Sequence, residues 1–283
     1  MAQLDNQTCI ITGANGGIGY VTTRDLARLG AHVVMVCRNE QRGLAARDAI
    51  RQETGNPRVG LLVGDTSSLA DMRRVAAEIL EGCPRIDVLI ANAGGAMGKR
   101  TVTAEGFENT LATNHLGHYL LTRLLLDRLL ADGGARVVVT SSHGHKSSGA
   151  IDFDDLNMER RWGMLKAYGL TKLMNVLMAQ ELDRRFGEQG LRASSFHPGA
   201  VRTGIWNKAG FLGSLVGAVG GLFMISSEQG ADTMTWLATS AEAADPQGQY
   251  YYQRKRRRIS PHATQDAAKR LWEMSAELVG LQT

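Results

Sequence analysis

The sequence predicts a single-domain α/β protein built on a doubly wound parallel sheet with helices on both faces. Three observations carry that prediction. Short β-branched runs alternate with longer segments of helical period almost from end to end. Most of the short runs are continuously apolar rather than alternating, as strands covered on both sides are. A glycine-rich turn, Gly13 to Gly19, joins the first run to the first helical segment.

Taken in order, Thr8–Thr12 reads as a strand and Gly17–Leu29 as the helix it feeds, with Gly30 placed to stop that helix. Ala31–Cys37 and Val59–Val63 are apolar strand runs on either side of the helical segment Glu40–Glu53. Ser67 or Ser68 supplies an N-cap for Leu69–Leu80. The strand Asp87–Ala91, the long helical segment Glu105–Leu130, the strand Arg136–Ser141, the helix Gly163–Phe186 and the strand Leu191–His197 follow. Alternation of this length implies right-handed crossovers, and hence parallel pairing. Beyond Pro198 the pattern lapses through Gly199–Ile225. It resumes with Ser226 or Ser227 capping a helix near Glu228–Ala238. A short aromatic strand, Gln249–Gln253, the basic run Arg254–Arg258 and an amphipathic helix through Leu271, Trp272 and Leu278 complete the chain. There is no internal repeat and no linker-like stretch, so 1–283 is expected to be one dinucleotide-binding catalytic domain.

Of 283 residues, 43% are hydrophobic and 21% charged, which suits a globular protein and not a disordered, collagenous or coiled-coil one. The 33 glycines against 5 prolines point to tight backbone approaches. Cys9, Cys37 and Cys83 cannot all pair and show no CxxC spacing, so a reducing, cytoplasmic setting is expected. Met1–Gln7 carries neither a basic nor an apolar stretch, so no secretory leader is expected. No run reaches the roughly 18–20 apolar residues of a membrane span. A net charge of +4 calls for no polyanionic partner.

The turn Thr12-Gly13-Ala14-Asn15-Gly16-Gly17-Ile18-Gly19 has the spacing G-x3-G-x-G between a strand and a helix. Its glycines allow a tight turn and close approach to a pyrophosphate held at the positive end of the helix. Gly13, Asn15, Gly17, Ile18 and Gly19 are the expected contacts. A site for NAD places an acidic side chain at the end of the second strand to accept the ribose hydroxyls. Cys37-Arg38-Asn39 offers a guanidinium there, which suits a 2′-phosphate, so the expected cofactor is NADP(H).

Tyr168 and Lys172 stand four residues apart on a helical segment and so share a face. Upstream, Ser141-Ser142 ends a buried strand. A phenol titrates near 10, too high for acid–base work at neutral pH, and an ammonium one turn away would favour the phenolate. The same lysine can hold a nicotinamide ribose, and a serine hydroxyl can bond the carbonyl oxygen where charge develops in hydride transfer.

With these segments in order, the chain resembles the short-chain dehydrogenase/reductase family over essentially its whole length. The matching residues are Thr12–Gly19, Asn92-Ala93-Gly94, Asn114, Ser142, Tyr168-x3-Lys172, and Pro198-Gly199 with Val201 and Thr203. The resemblance implies a Rossmann sheet with Tyr168 as acid/base, Lys172 as its partner and ribose ligand, and Ser142 orienting the carbonyl. It further implies that Asn114 keeps a water in a proton relay and that Asp65 and Thr66 meet the adenine side. Asn92, Ala93 and Gly94 would meet the middle of the cofactor, and Pro198, Gly199, Val201 and Thr203 its carboxamide end. Within the family the chain looks most like the retinol dehydrogenase and WW-domain oxidoreductase-like branch. Val36-Cys37-Arg38-Asn39, Asn114-His115-Leu116-Gly117-His118, Ser141-Ser142-x2-His145 and Ala268-Lys269-Arg270-Leu271-Trp272-Glu273 carry that likeness. The family implies a homo-oligomer.

Other features admit plainer readings. His115, His118, His143 and His145 have no Cys, Asp or Glu at complementary spacing, so no metal is expected. His143 reads first as packed or surface-exposed, and second as pocket lining. Arg254–Arg258 reads first as a solvated loop, and as a site for an anionic substrate if that loop borders the substrate mouth. No nucleic-acid partner is expected. Tyr250–Tyr252 fits an edge strand. The glycine-broken apolar segment within 204–226 reads as a lid over a small hydrophobic carbonyl or alcohol substrate, with oligomer contact or peripheral membrane association as alternatives. Two functions compete with carbonyl–alcohol interconversion. One is a regulatory protein that binds NADP(H) without turnover, which has no need of Asn114, Ser142, Tyr168 and Lys172 together. The other is reduction of a conjugated C=C bond.

Overall fold

A computed structural model describes residues 3–201, 224–243 and 247–282, and among them the predicted apolar runs, the tyrosine run and part of the basic run form one eight-stranded sheet. The strands are β1 Thr8–Thr12, β2 His32–Cys37, β3 Val59–Val63, β4 Val88–Ala91, β5 Arg136–Thr140, β6 Arg192–Phe196, β7 Tyr250–Tyr252 and β8 Lys255–Arg256. Their order is β3-β2-β1-β4-β5-β6-β7-β8, all parallel except the antiparallel last pair. The strand order reverses between β1 and β4, and in such sheets the crevice beyond the strand C-termini at that point takes the ligand.

The helices are α1 Gly17–Arg28, α2 Glu40–Thr54, α3 Leu69–Gly82, the short α4 Asn109–Leu111, α5 Gly117–Leu124, α6 Leu126–Leu130, α7 Met164–Phe186, α8 Ser227–Thr239 and α9 Gln265–Leu278. They cover both faces, because each strand buries side chains on both sides. On one face Met72, Val75, Ile79, Leu120, Leu173, Leu177, Leu271 and Trp272 join the core. On the other, Ile18, Val21, Leu26, Ile50, Met234 and Leu237 do so. Full burial of such side chains contributes about 1.5–3 kcal/mol each. Polar signals set the helix ends. Ser68 accepts from Asp71 N to start α3, and Ser226 and Gln229 form a reciprocal capping box on α8. The chain leaves α1 through Gly30 at φ +87°.

Two departures from the sequence reading bear on the site. The segment read as one helix over Glu105–Leu130 starts at Asn109, and Ala112–Leu116 winds as a π-helical turn before α5. Single π turns inside helices gather at functional positions, and this one holds Asn114. The basic run is exposed throughout, as a solvated run should be, but it is only partly a loop: Lys255–Arg256 pairs with β7, so β8 and not the tyrosine strand forms the sheet edge. Gln253 and Arg254, at φ +52° and +58°, make the two-residue turn between these strands. Left-handed backbone is unfavourable for such side chains; Arg254 N donates to Thr233 Oγ1 at 3.1 Å and its guanidinium pairs with Asp232, which offsets it. Thr203 and residues 204–223 of the expected lid lie outside the described residues. Among the described residues, no helix is long and apolar enough to cross a membrane.

Candidate active site

The glycine loop follows β1 as expected. Gly16 stands at the N-cap of α1 without a side-chain cap, so the first amides of the helix stay available to an anion. The loop is closely built: a Cβ on Gly19 would lie 2.2 Å from Gly13 O and 2.7 Å from Asn92 Nδ2. Ile18 packs inward, and the backbone amides of Ala14 and Asn15 face the Cys37 thiol at the end of β2. Arg38 is exposed beside them, with Nη1 3.4 Å from Asp65 Oδ2. Sequence reasoning missed Arg42. Asn39 caps α2 by accepting from Arg42 N, which puts a cation in the first turn, against the helix dipole. Its Nη2 reaches within 4.0 Å of where a Gly16 Cβ would stand. That electrostatically unfavourable placement was the available signal.

A buried hub organises the middle of the crevice. The Thr12 hydroxyl accepts from Asn92 N and Ala93 N, both at 2.9 Å, and Asn92 Nδ2 donates to Thr12 O at 2.8 Å. With its lone pairs taken, the hydroxyl donates to His118 Nε2 at 2.9 Å, which leaves His118 Nδ1–H to donate to Asn114 O at 3.2 Å. Burial holds His118 down to about 4, so the ring is neutral, as this pattern requires. His115, three residues earlier, turns away to Ser275 Oγ at 2.9 Å. Asn114 is locked in turn: Oδ1 accepts from Gly95 N, and Nδ2 donates to Gly95 O and to Thr171 Oγ1, at 2.9–3.0 Å. A Cβ on Gly94 would fall 2.7 Å from Asn114 Oδ1 and 3.3 Å from Lys172 Nζ. Gly94, Asn114 and Lys172 therefore enclose one small space.

The structure separates the two serines. Ser141 is buried and donates to Lys172 O at 2.7 Å, a contact that anchors α7 to the end of β5. Ser142 caps the 3₁₀ turn His143–Lys146, and its hydroxyl lies within hydrogen-bond reach of the half-buried Tyr168. Lys172 is 2% exposed; its Nζ donates to Thr140 O at 3.1 Å and stands 5.6 Å from the Tyr168 ring centre. Burial lowers Lys172 to about 8. Burial also raises the Tyr168 phenol, with the Ser142 hydrogen bond opposing that rise. The expectation that Lys172 acidifies Tyr168 thus gives way here to desolvation, which keeps the phenol protonated.

The remaining expected residues are placed as follows. Asp65 accepts from Ser67 N and Oγ at 2.8–2.9 Å, and Thr66 is buried with its carbonyl against Gly117 of α5. Pro198 and Gly199 leave β6, and Val201 packs near Ile18 beside Gly230 of α8. His143 is exposed, and it joins His197 and Tyr252 in a ring cluster next to Ser142. A cavity of about 400 Å³ behind α7 is lined by Leu156, Leu170 and Met174 but by none of Ser142, Tyr168 and Lys172. Among the described residues, no three His, Cys, Asp or Glu side chains are grouped to hold a metal.

The sequence model of the short chain dehydrogenase family matches residues 7–210. The chain is 40% identical to retinol dehydrogenase 13 of Homo sapiens over 288 aligned residues, covering 99% of this chain and 87% of that protein. It aligns with the crystal structure of an uncharacterized protein from Mycobacterium paratuberculosis at a TM-score of 0.81 and 33% identity, covering 100% and 96% of the two chains. A short-chain dehydrogenase from Sphingobium yanoikuyae in complex with NADPH aligns at a TM-score of 0.67 and 26% identity, covering 84% and 85%.

Proposed function

The chain belongs to the short-chain dehydrogenase family, on its retinol dehydrogenase-like branch, and from that premise we propose an NADP(H)-dependent oxidoreductase that interconverts a carbonyl and an alcohol on a hydrophobic substrate. The observation that carries the reading is the Ser142–Tyr168 hydroxyl pair beside Lys172 and the Gly94 turn, at the C-terminal edge of the sheet.

The residues present fit the cofactor: at Gly16 a Cβ would enter open space with only Arg42 Nη2, 4.0 Å away, beside it, and the start of α1 carries no side-chain cap. Gly13, Asn15, Gly17, Ile18 and Gly19 would hold its pyrophosphate, Asn92 to Gly94 its middle, and Lys172 its nicotinamide ribose. Arg38 and Arg42 favour a 2′-phosphate over a bare hydroxyl, which is the support for NADP(H). When bound, the cofactor supplies or accepts the hydride.

In the reducing direction Tyr168, protonated through burial, gives its proton to the carbonyl oxygen. The Ser142 hydroxyl donates a hydrogen bond to that oxygen, where negative charge grows. Lys172, near 8, exchanges protons around neutral pH and would both hold the ribose of a bound cofactor and supply the proton that restores the phenol. Asn114, fixed by Gly95 and Thr171, holds the relay end of the same space. Free and buried Cys9, Cys37 and Cys83 support a reducing, cytoplasmic setting.

Tyr168→Phe tests the reading. NADPH-dependent turnover of an aldehyde and ketone panel is expected to fall by about 10²–10⁴, while NADPH binding by calorimetry is retained. Substantial residual turnover in the variant, or a wild-type chain that binds no pyridine nucleotide, overturns it.

A further inference from the structure

Three cations that no carboxylate among the described residues pairs with stand on the side of the rings next to Ser142, and we infer that they form a subsite for an anionic group carried by the carbonyl substrate. The inference rests on the reading of Ser142 and Tyr168 as the reacting end.

The β7–β8 hairpin builds the subsite. Alternate strand residues share a face, so Tyr250 and Tyr252 point to one side, and Lys255, paired across from Tyr252, points there too. Arg257, whose N–H bonds Tyr250 O at 2.8 Å, follows two residues later on that side. This is where the rings meet. Tyr252 lies 5.1 Å from His143 and 5.2 Å from His197, and the two histidines are 4.1 Å apart. The Arg257 guanidinium sits over Tyr252 at 6.0 Å. His143 directly follows Ser142, and Lys146 ends the same 3₁₀ turn. From the catalytic serine the path therefore runs over a ring shelf to Lys146, Lys255 and Arg257.

The rest of the hairpin's charge is already engaged. Arg254 pairs with Asp232, and Arg256 Nε donates to Tyr251 Oη at 3.3 Å on the opposite face. Among the described residues, no carboxylate forms an ion pair with Lys146, Lys255 or Arg257. The field at the shelf is positive: Lys146 and Arg257 both help burial to hold His143 below its ordinary value. A neutral aromatic shelf bordered by three cations suits a carbonyl compound with a flat or extended apolar body and a terminal carboxylate or phosphate. Lys255 and Arg257 share one side of the hairpin with the shelf ring Tyr252, and Lys146 and Arg257 both act on His143, which suits a single terminal anion.

The test compares 4-formylbenzoate and 4-formylcinnamate with their methyl esters. Wild type is expected to prefer the carboxylates in kcat/KM. The triple variant Lys146→Gln, Lys255→Gln, Arg257→Gln is expected to lose about tenfold of that preference, at roughly two- to fivefold per exposed charge. Raising salt should erode the preference in wild type only. Terephthalate, which has no carbonyl to reduce, is expected to bind about tenfold more weakly to the variant, on the same per-charge scale. An unchanged preference, or equal losses for ester and carboxylate, overturns the subsite. Unchanged terephthalate binding does so whether or not turnover is seen. Charge-dependent terephthalate binding without turnover of any aldehyde supports the subsite while overturning the oxidoreductase reading. Sedimentation with phosphatidylserine vesicles that the triple variant abolishes, at unchanged substrate preference, assigns the cations to a membrane and overturns the inference.

Discussion

Lys172 is held in place at a thermodynamic cost, and removing its charge should make the protein more stable and less active. Burial lowers its ammonium from 10.5 to about 8. At 1.36 kcal/mol for each tenfold change in acidity, carrying that proton at neutral pH costs the folded chain about 3 kcal/mol relative to the unfolded one. Its one hydrogen bond in the described structure is to the neutral Thr140 carbonyl, which also accepts from Asn175 Nδ2 at 2.9 Å and so keeps a partner without the lysine. Lys172→Met keeps the side-chain length and deletes the charge. The variant is expected to gain about 2–3 kcal/mol at pH 7, or roughly 4–5 °C in Tm for a chain of this size. Because the folded value lies below the unfolded one, the unfolded chain holds the extra proton between about 8 and 10.5, and wild-type stability rises with pH through that window. The variant lacks this rise, so the two should converge above it, while turnover stays lost throughout. Urea unfolding at pH 7, 9 and 10.5 checks both features. A methionine variant less stable than wild type at pH 7, or a difference that does not move with pH, refutes the assignment of Lys172 as a desolvated, functionally retained charge.

Two further outcomes follow from neighbouring groups. Arg38→Asp places two carboxylates, the new one and Asp65, where a 2′-phosphate would sit, so NADPH affinity should fall at least about tenfold, the scale of one charged hydrogen bond. NADH affinity should change far less, and equal losses by calorimetry would sink the cofactor assignment. His118→Phe removes one buried partner from the Thr12 hydroxyl, which keeps Asn92 N, Ala93 N and Ile90 O, and one from Asn114 O, at about 1–3 kcal/mol in all. With His118 held down to about 4, the unfolded chain takes up that proton first and wild-type stability drops as pH falls from 6.5 toward 4. The variant should be less stable at pH 7 with a shallower acid limb, and an unaltered acid limb in denaturation would remove His118 from the hub.

Much of the fold was legible because β1, β2, β4 and β5 are continuous apolar runs whose only comfortable place is a sheet covered on both faces. The parts that were not legible have local causes. Ala112–Leu116 carries no residue that distinguishes a π turn from an α turn, and the partners of its Asn114 side chain, Gly95 and Thr171, come from distant segments. Lys255–Arg256 has no apolar pattern and reaches strand geometry only through pairing with β7. The turn before it uses left-handed Gln253 and Arg254, without the glycine or asparagine that usually signals such a hairpin.

At the site, which side chains come near one another was legible, while the direction each takes was not. Four-residue spacing on α7 puts Tyr168 and Lys172 on one face, but it sets reach and leaves aim open. Ser141 pins the α7 backbone at Lys172, and the lysine amine is drawn to Thr140 O at the strand end, away from the phenol. Ser142 is the group that bonds the Tyr168 hydroxyl, while the lysine amine stands 5.6 Å from the ring centre. Burial then acts on both ionisable partners in the same sense, toward neutrality: it raises an acid and lowers a base. On the proposed reading, a protonated phenol beside a base near 8 would give a proton to a carbonyl, and the opposite direction would require the phenol to lose its proton first. Alcohol oxidation should therefore rise with pH more steeply than carbonyl reduction does, a consequence of desolvation that Tyr-x3-Lys spacing alone does not contain.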